Sequence, residues 1–151
     1  MEKTEAYVFD LDGTLIDNSE RLERCKAETT TKSEFWQCFL SCKYTNLDKP
    51  IRNMIWLAQE YAAQNFRIII LTGRPWTMEM CTLEQLEKFS IPASGIYYRP
   101  EKDYRKAAQF KVEVLKQMLE YYDIKAVYDD EEEVRKAIQE QLKIPAYPPI
   151  K

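Results

Sequence analysis

Short apolar runs alternate with segments of helical spacing along this chain, and polar residues or glycine close each run. Residues 67–72 hold four consecutive aliphatic residues, three of them β-branched, and residues 6–11 are similarly rich in strand formers. Such runs are typical of strands buried on both faces of a parallel sheet. Shorter runs predict strands at 95–98 and 126–128. Helical spacing predicts helices at 20–30, 33–43, 48–62, 77–89, 107–122 and 131–142, and residues 144–149 are expected to form an extended end.

This alternation predicts one α/β domain over residues 1–151, in which helices flank a central parallel sheet and the crossovers are right-handed. Asp48 is the predicted N-terminal cap of the helix that follows it, with Pro50 in the first turn. Residues 18–48 leave room for a small helical insertion but not for a large cap domain. No internal repeat or flexible linker divides the chain.

Composition narrows the chemistry that the chain can perform. A net charge of −3 and a pI near 5.2 argue against a general polyanion-binding module, so any nucleic-acid contact must be local. The absence of histidine excludes Ser-His-Asp and Cys-His catalysis and Cys/His zinc sites. What remains is carboxylate, Lys, Arg and thiol chemistry.

The four cysteines, at positions 25, 38, 42 and 81, lack the close pairs of a zinc ribbon. No secretory leader precedes them, so we expect a cytoplasmic protein with reduced thiols. Cys38 and Cys42 fall on a predicted helix and are expected to be small buried residues rather than a redox pair. The longest apolar run is far shorter than a membrane span, so no membrane association is expected.

Polar residues gather where the predicted strands end. Asp10 and Asp12 follow the first strand, residues 72–74 follow the second, and Asp129 and Asp130 follow the last. Ligands of open α/β sheets bind beyond the carboxyl ends of the strands, so these residues are the candidates for a common site. Lys111 lies on a helix that enters from the same region, and Gly13 and Gly73 fall in the strand-end turns.

These residues form ordered motifs. Residues 10–15 read DxDGTL, and they are followed by a TGR segment at 72–74, an isolated lysine at 111 and a DD pair at 129–130. In this order the chain closely resembles the haloacid dehalogenase (HAD) superfamily of phosphohydrolases over residues 6–142. The resemblance implies a three-layer, Rossmann-like HAD fold with a minimal helical cap insertion.

The resemblance also implies a chemistry. Asp10 would attack phosphorus and form an aspartyl phosphate, while Asp12 would protonate the leaving oxygen and then activate water. Thr72 and Lys111 would contact the phosphoryl group, and Lys111 would also orient the nucleophile. A magnesium ion would be held by Asp10, the backbone carbonyl of Asp12, Asp129 and Asp130. Of the terminal pair, Asp129 is favoured over Asp130 as the primary ligand.

Within the superfamily, the chain most resembles the 3′-phosphatase domain of phage-type polynucleotide kinase-phosphatases. The similar segments are residues 36–39, 48–50, 71–74, 98–106, 110–111 and 128–130. Residues 99–111 hold five basic residues against two acids, which would suit a DNA or RNA 3′ end, and Tyr98 or Tyr104 is available for stacking. The substrate-binding residues that this resemblance implies are Gly73, Arg74, Arg21, Arg99 and Arg105.

Some features depart from that narrower resemblance. Ala107 replaces the acid that usually follows Arg-Lys, Glu131 stands where an arginine is common, and no GxxxxGK[ST] phosphate loop occurs. Two alternatives therefore remain open from the sequence: a phosphatase of nucleotides or other small metabolites, and a non-catalytic module that binds phosphorylated ends. The presence of both Asp10 and Asp12 argues against the non-catalytic alternative.

Overall fold

The computed structural model describes residues 2–150 and confirms the predicted α/β architecture. Apolar, β-branched runs form the strands, and the amphipathic segments between them form helices that cover both faces of the sheet. No helix within residues 2–150 is both long and apolar enough to cross a membrane. In chain order the elements are β1 (Thr4–Phe9), β2 (Ile16–Asp17), α1 (Ser19–Glu28), α2 (Lys32–Phe39), β3 (Lys49–Pro50), α3 (Arg52–Ala63), β4 (Arg67–Pro75), α4 (Glu79–Lys88), β5 (Gly95–Arg99), α5 (Ala107–Met118), β6 (Tyr122–Tyr128), α6 (Glu132–Leu142) and β7 (Ala146–Tyr147), with 3₁₀ turns at Thr45–Leu47 and Trp76–Met78.

The central sheet has the strand order β5-β4-β1-β6-β7, and every pair in it is parallel. β1 lies in the middle, with Ala6 beside Arg67 of β4 on one side and beside Ile124 of β6 on the other. One apolar cluster includes Phe110 and Ile138 of the helices on one face. The other includes Met54 and Ile55 on the opposite face, so the sheet is buried between two helical layers.

The predicted small insertion is present between β1 and α3. It contains α1, α2 and the Thr45–Leu47 turn, and a short antiparallel pair, β2 with β3, joins it to the core. Thr31 and Glu34 form a capping box that begins α2.

The helix predicted from residue 48 begins later than expected. Lys49 and Pro50 pair with β2, and the helix starts at Arg52. Asp48 is therefore not a helix cap, because its buried carboxylate is bound by the side chain of Arg21, 27 residues earlier. A long-range ion pair has overridden the local cap signal.

Other boundaries also differ from the sequence prediction, and the helix expected at 33–43 ends at Phe39. The helix expected to reach residue 122 ends at Met118, since Tyr122 already belongs to β6. The extended end at 144–149 contains a short strand, in which Ala146 pairs with Val127 at the edge of the sheet.

The prediction of reduced cysteines is wrong. Cys25 of α1 is joined to Cys38 of α2, and Cys42 is joined to Cys81 of α4, each pair with its Cα atoms 5.7 Å apart. Cys42 also lies beyond the end of α2 rather than on a helix. The linear spacing of the cysteines could not reveal these pairs, because the packing of separate segments of the chain brings the sulfur atoms together.

Candidate active site

Three carboxylates meet at the carboxyl ends of the two central strands. Asp10 follows β1, and Asp129 and Asp130 follow the neighbouring β6. One oxygen from each lies within 4.8 Å of the others. Asp10 and Asp129 are buried, whereas Asp130 is exposed at the edge of the cluster.

Lys111, near the start of α5, joins two of these carboxylates. Its Nζ donates to Asp10 Oδ1 at 2.9 Å and to Asp129 Oδ2 at 2.6 Å. The remaining oxygens also have partners, since Asp129 Oδ1 accepts from the Glu131 backbone N–H at 2.9 Å and Asp10 Oδ2 accepts from the Thr14 hydroxyl at 3.3 Å. The nucleophile predicted from the sequence is thus held by a buried cation.

The cluster carries more negative charge than Lys111 neutralises. Burial raises the pKa of Asp10 to about 7, even though Lys111 opposes that shift. Burial and then the charge of Asp10 raise the pKa of Asp129 to about 6. Burial would lower the pKa of Lys111, but its two carboxylate partners hold it above its ordinary value. A further positive charge would therefore stabilise the ionised carboxylates.

This donor set fits a hard divalent cation. It consists only of carboxylate oxygens, and Asp130 leaves one side open to solvent. The local backbone also accommodates Asp130: Gly13 has φ of +88°, and a Cβ there would lie 2.4 Å from Asp130 Oδ2. The positive φ favours glycine at position 13, and any larger residue would also require the Asp130 carboxylate to move.

Asp12, the predicted acid and base, is bound by two arginines. Arg74 donates from Nε to Oδ2 at 2.9 Å and from Nη2 to Oδ1 at 2.8 Å, and Arg21 Nη2 donates to Oδ1 at 2.6 Å. Burial alone would raise the pKa of Asp12, but these arginines lower it below its ordinary value. The Asp12 side chain retains 17% of its exposed surface, so it is still reachable.

The structure does not bring Arg21 and Arg74 to an open phosphate position. Both side chains are fully buried, and their remaining donors bind Asp48. Arg21 also donates to the Phe39 carbonyl, and Arg74 also donates to the side chains of Thr82 and Gln85. Both arginine side chains therefore bind Asp12 from the buried side and do not reach the solvent-exposed side of the site.

Thr72 and Gly73 lie at the end of β4, beside β1. The Thr72 hydroxyl is buried and accepts from the Arg74 backbone N–H at 3.0 Å, so its own hydrogen remains available for donation. A Cβ added to Gly73 would meet no atom within 4 Å, and the backbone there is not left-handed. Position 73 therefore does not require glycine in the way that position 13 does.

The basic stretch is partly neutralised by one acid within it and by one acid further along α5. Arg105 pairs with Asp103, at 2.7 Å, and with Glu113. Arg99 donates to the Arg105 carbonyl, and its guanidinium carbon lies 5.3 Å from the centre of the Phe110 ring. Arg105 is thus placed as part of a surface ion-pair network. Tyr104 is 89% exposed beside it.

The structure therefore brings together most of the predicted catalytic and metal residues. Sequence reasoning missed Thr14, Asp48 and Gln85. Thr14 could have been found, since it belongs to the DxDGTL turn. The other two gave no local signal, because Gln85 is an ordinary helix residue and Asp48 resembles a cap.

Comparison with known proteins agrees with this geometry. The sequence pattern of the family described as HAD superfamily, subfamily IIIB (acid phosphatase), matches residues 1–134. The protein is therefore a phosphatase of the HAD superfamily, a phosphoric monoester hydrolase. Within that superfamily, the chain belongs to the subfamily IIIB acid phosphatase family. No curated protein matches the chain in sequence.

Solved structures share the fold at low sequence identity. A chain of the Pnkp1/Rnl/Hen1 complex superposes with a TM-score of 0.77 at 19% identity, over 100% of this chain and 48% of that chain. This chain thus spans about half the length of that relative. A haloacid dehalogenase-like hydrolase from Streptococcus pneumoniae gives 0.67 at 18%, over 100% and 96% of the two chains. A class C acid phosphatase from Bacillus anthracis, with tungstate bound, gives 0.65 at 18%, over 98% and 68%.

Proposed function

We propose that this phosphatase hydrolyses phosphate monoesters at the 3′ ends of polynucleotides, through an aspartyl-phosphate intermediate and with Mg²⁺. The observation that carries the chemical part is the placement of Asp10 between Lys111 and the cluster formed with Asp129 and Asp130. A buried carboxylate fixed by a cation at the end of a central strand is suited to act as a nucleophile.

In the first step, an Asp10 carboxylate oxygen attacks phosphorus, and the bond between phosphorus and the ester oxygen breaks. Asp12 must enter this step protonated, although its two arginines favour the ionised carboxylate, and it gives that proton to the departing oxygen, which leaves as the alcohol. In the second step, Asp12 takes a proton from water as the water oxygen attacks phosphorus. The bond between phosphorus and Asp10 then breaks, so phosphate is released and both carboxyl groups return to their starting state.

The other residues orient the reacting groups and neutralise their charge. Lys111 holds Asp10 and offsets part of the charge on the transferred phosphoryl group, and the free Thr72 hydroxyl hydrogen donates to a phosphoryl oxygen. Gly73 leaves space beside Thr72 for the phosphate. A magnesium ion would be held by Asp10, Asp129, Asp130 and the backbone carbonyl of Asp12, where it would neutralise charge between the carboxylates and the phosphate.

The polynucleotide part of the proposal has three supports. The insertion is small, so the strand ends are not covered by a large cap domain. Residues 99–111 carry a local excess of basic side chains in an acidic chain, and Arg99 and Arg105 are the proposed backbone contacts there. A similar fold occurs in a chain of the Pnkp1/Rnl/Hen1 RNA repair complex.

Phosphate release in the presence of Mg²⁺ tests this proposal. The substrates are an oligonucleotide with a 3′-phosphate, the same oligonucleotide with a 5′-phosphate, and a 3′-mononucleotide. We expect strong preference for the 3′-phosphorylated oligonucleotide. Equal rates with the mononucleotide would instead favour the small-metabolite alternative, and binding without turnover would favour the non-catalytic one.

The nucleophile is tested with Asp10→Asn, a nearly isosteric change. We expect loss of turnover with an unchanged fold, and the exposed Asp17→Asn should retain activity. Acid quenching with a radiolabelled phosphate ester should leave label on the unsubstituted protein but not on Asp10→Asn. Turnover without any protein-bound label would remove the aspartyl phosphate from the mechanism.

A polynucleotide substrate implies that the protein acts on nucleic acid in the cytoplasm. Disulfides are rare in that compartment. The two disulfides are then the feature to measure first in material taken from cells. Alkylation in the lysate, followed by the mass of the denatured protein purified without reductant, distinguishes bridged cysteines from free ones: four free cysteines would carry four alkyl groups, and four bridged cysteines would carry none.

A further inference from the structure

Asp12 belongs to a closed group of two arginines and two aspartates. Arg21 and Arg74 both bind Asp12, and the same two arginines bind Asp48 behind it, at 3.1 Å from Arg21 Nε and 3.4 Å from Arg74 Nη2. The side chains of both arginines and of Asp48 have no exposed surface. The charges within this group balance, two positive against two negative.

Gln85 of α4 fixes Asp48 from the other side. Its Nε2 donates to Asp48 Oδ2 at 2.9 Å and to the Thr45 carbonyl at 3.0 Å, while its Oε1 accepts from Arg74 Nη1 at 2.8 Å. With Thr82 as a further acceptor, each of the five N–H groups of Arg74 has a partner. The Arg74 guanidinium that binds Asp12 is therefore held in a single orientation.

We propose that Asp48, held by Gln85, is a positioning residue that fixes Arg21 and Arg74 in the arrangement that aims the Asp12 carboxyl at the leaving group. The inference rests on the proposed role of Asp12 as proton donor. Without the Asp48 carboxylate, two buried cations would face one carboxylate, and burial of an uncompensated charge drives the surrounding side chains to rearrange. Both guanidinium groups would then attract the Asp12 carboxylate and change its position.

Such a rearrangement has a specific kinetic signature. An alkyl phosphate releases an alcohol and needs the proton of Asp12, whereas 4-nitrophenyl phosphate releases a stable phenolate without one. The parameter kcat/KM covers the steps up to the transfer of phosphorus to Asp10. A residue that only positions Asp12 should therefore affect kcat/KM for the alkyl ester far more than for the aryl ester.

The experiment measures kcat/KM for both esters with Asp48→Asn. The alkyl ester is whichever the unsubstituted protein hydrolyses fastest, a small ester or a 3′-phosphorylated oligonucleotide. We expect a loss of about a hundredfold for the alkyl ester and less than about threefold for the aryl ester, within the range that a positioned general acid contributes. Asp17→Asn, at an exposed aspartate of β2 just before the insertion, is the matched control and should change neither.

Gln85→Met provides a second variant, in which the side chain keeps a similar size and the charges are unchanged. It tests the positioning role of Asp48 if Asp48→Asn does not fold. We expect the same selective loss on the alkyl ester, about tenfold. Equal losses on both esters, or no loss on either, would overturn the proposal. The comparison does not depend on the polynucleotide assignment, because a failure to prefer 3′ ends leaves the ratio of alkyl to aryl rates measurable.

Discussion

Gly13 is the residue at which the backbone of the site is most constrained. Its φ of +88° is strained for any other residue, and an added Cβ would lie 2.4 Å from Asp130 Oδ2. We expect Gly13→Ala to lower the free energy of unfolding by about 1–2 kcal/mol and to weaken the effect of Mg²⁺, because Asp130 must move. Urea denaturation with and without Mg²⁺ measures both effects.

Gly73→Ala is the matched control for stability. Its Cβ would meet no atom within 4 Å, so the free energy of unfolding should change by less than about 0.5 kcal/mol. If both substitutions destabilised the protein equally, the close approach of Asp130 would not be what requires glycine at position 13.

Residues that follow strands could be located from the sequence, but partners across the fold could not. Asp10 and Asp129 were predictable neighbours, since parallel strands end at one edge of a sheet. The roles of Arg21 and Arg74 depend on which carboxylates their guanidinium groups meet, 9 to 62 residues away in the chain. No local pattern encodes that choice, and the sequence accordingly directed both arginines to substrate.

Among the elements, the two disulfides attach the insertion to itself and to the core. Cys25–Cys38 joins α1 to α2, and Cys42–Cys81 joins the segment after α2 to α4, across 13 and 39 residues of chain. The chain-entropy relation gives about 3 and 4 kcal/mol for loops of these lengths. We expect Cys42→Ser with Cys81→Ser to destabilise the protein more than Cys25→Ser with Cys38→Ser.

The measurement is urea denaturation of both double variants, beside the unsubstituted protein with and without dithiothreitol. Reduction should convert each disulfide into two thiols and bring the unsubstituted protein below either variant in stability. Four reactive thiols before any reductant is added would show that the bridges are not formed in solution.

Helix α2 carries a cluster of aromatic rings, of which Phe39 lies against Arg21, one of the two arginines that bind Asp12. Phe35 stacks on Phe39 with ring centres 5.5 Å apart, Trp36 lies 5.1 Å from Phe35, and the Arg21 guanidinium carbon lies 4.6 Å from the centre of the Phe39 ring. If the substrate is a polynucleotide, a base can stack on this surface. We expect Trp36→Ala to raise KM for a 3′-phosphorylated oligonucleotide about tenfold and to leave KM for a small ester unchanged.

Trp56→Ala is the matched control for that change. Trp56 on α3 is 58% exposed, compared with 45% for Trp36, so both substitutions remove a surface indole. A similar rise in KM for both variants, or none for either, would count against stacking on α2.

The elements themselves were largely predictable, and their ends were not. The strands at 67–75 and 95–99 and the helices from 107 and 132 follow the apolar periodicity of the chain. The start of α3 was misplaced because a cap signal at Asp48 competes with tertiary ion pairs. The insertion was recognised by its length, but its attachment by disulfides depends on contacts between elements.

For the molecule as a whole, the buried carboxylates make stability depend on pH. The pKa of Asp10 is raised to about 7 and that of Asp129 to about 6, above the ordinary 3.8, so between these values the folded state binds more protons than the unfolded state. The free energy of unfolding of the metal-free protein should therefore fall as pH rises from about 4 to 7. Mg²⁺ must displace these protons, so it should raise Tm more at pH 8 than at pH 5.

Thermal unfolding across that pH range, with Mg²⁺ and with a chelator, measures the difference. Asp129→Asn should reduce both the pH dependence and the effect of Mg²⁺. Asp123→Asn, which removes an exposed carboxylate paired with Lys125, should reduce neither. An effect of Mg²⁺ that is the same at every pH would mean that the ion does not bind these carboxylates.

The central position of β1 also has a consequence for synthesis on the ribosome. Ala6 pairs with Arg67 and with Ile124, so β1 is synthesised 61 and 118 residues before the residues with which it pairs. At translation rates of 5–20 residues per second, the wait for β6 is roughly 6 to 24 seconds. Asp10 is made early but acquires Asp129 only when β6 docks, so a nascent chain cannot hold a complete carboxylate cluster until nearly the whole domain has left the exit tunnel.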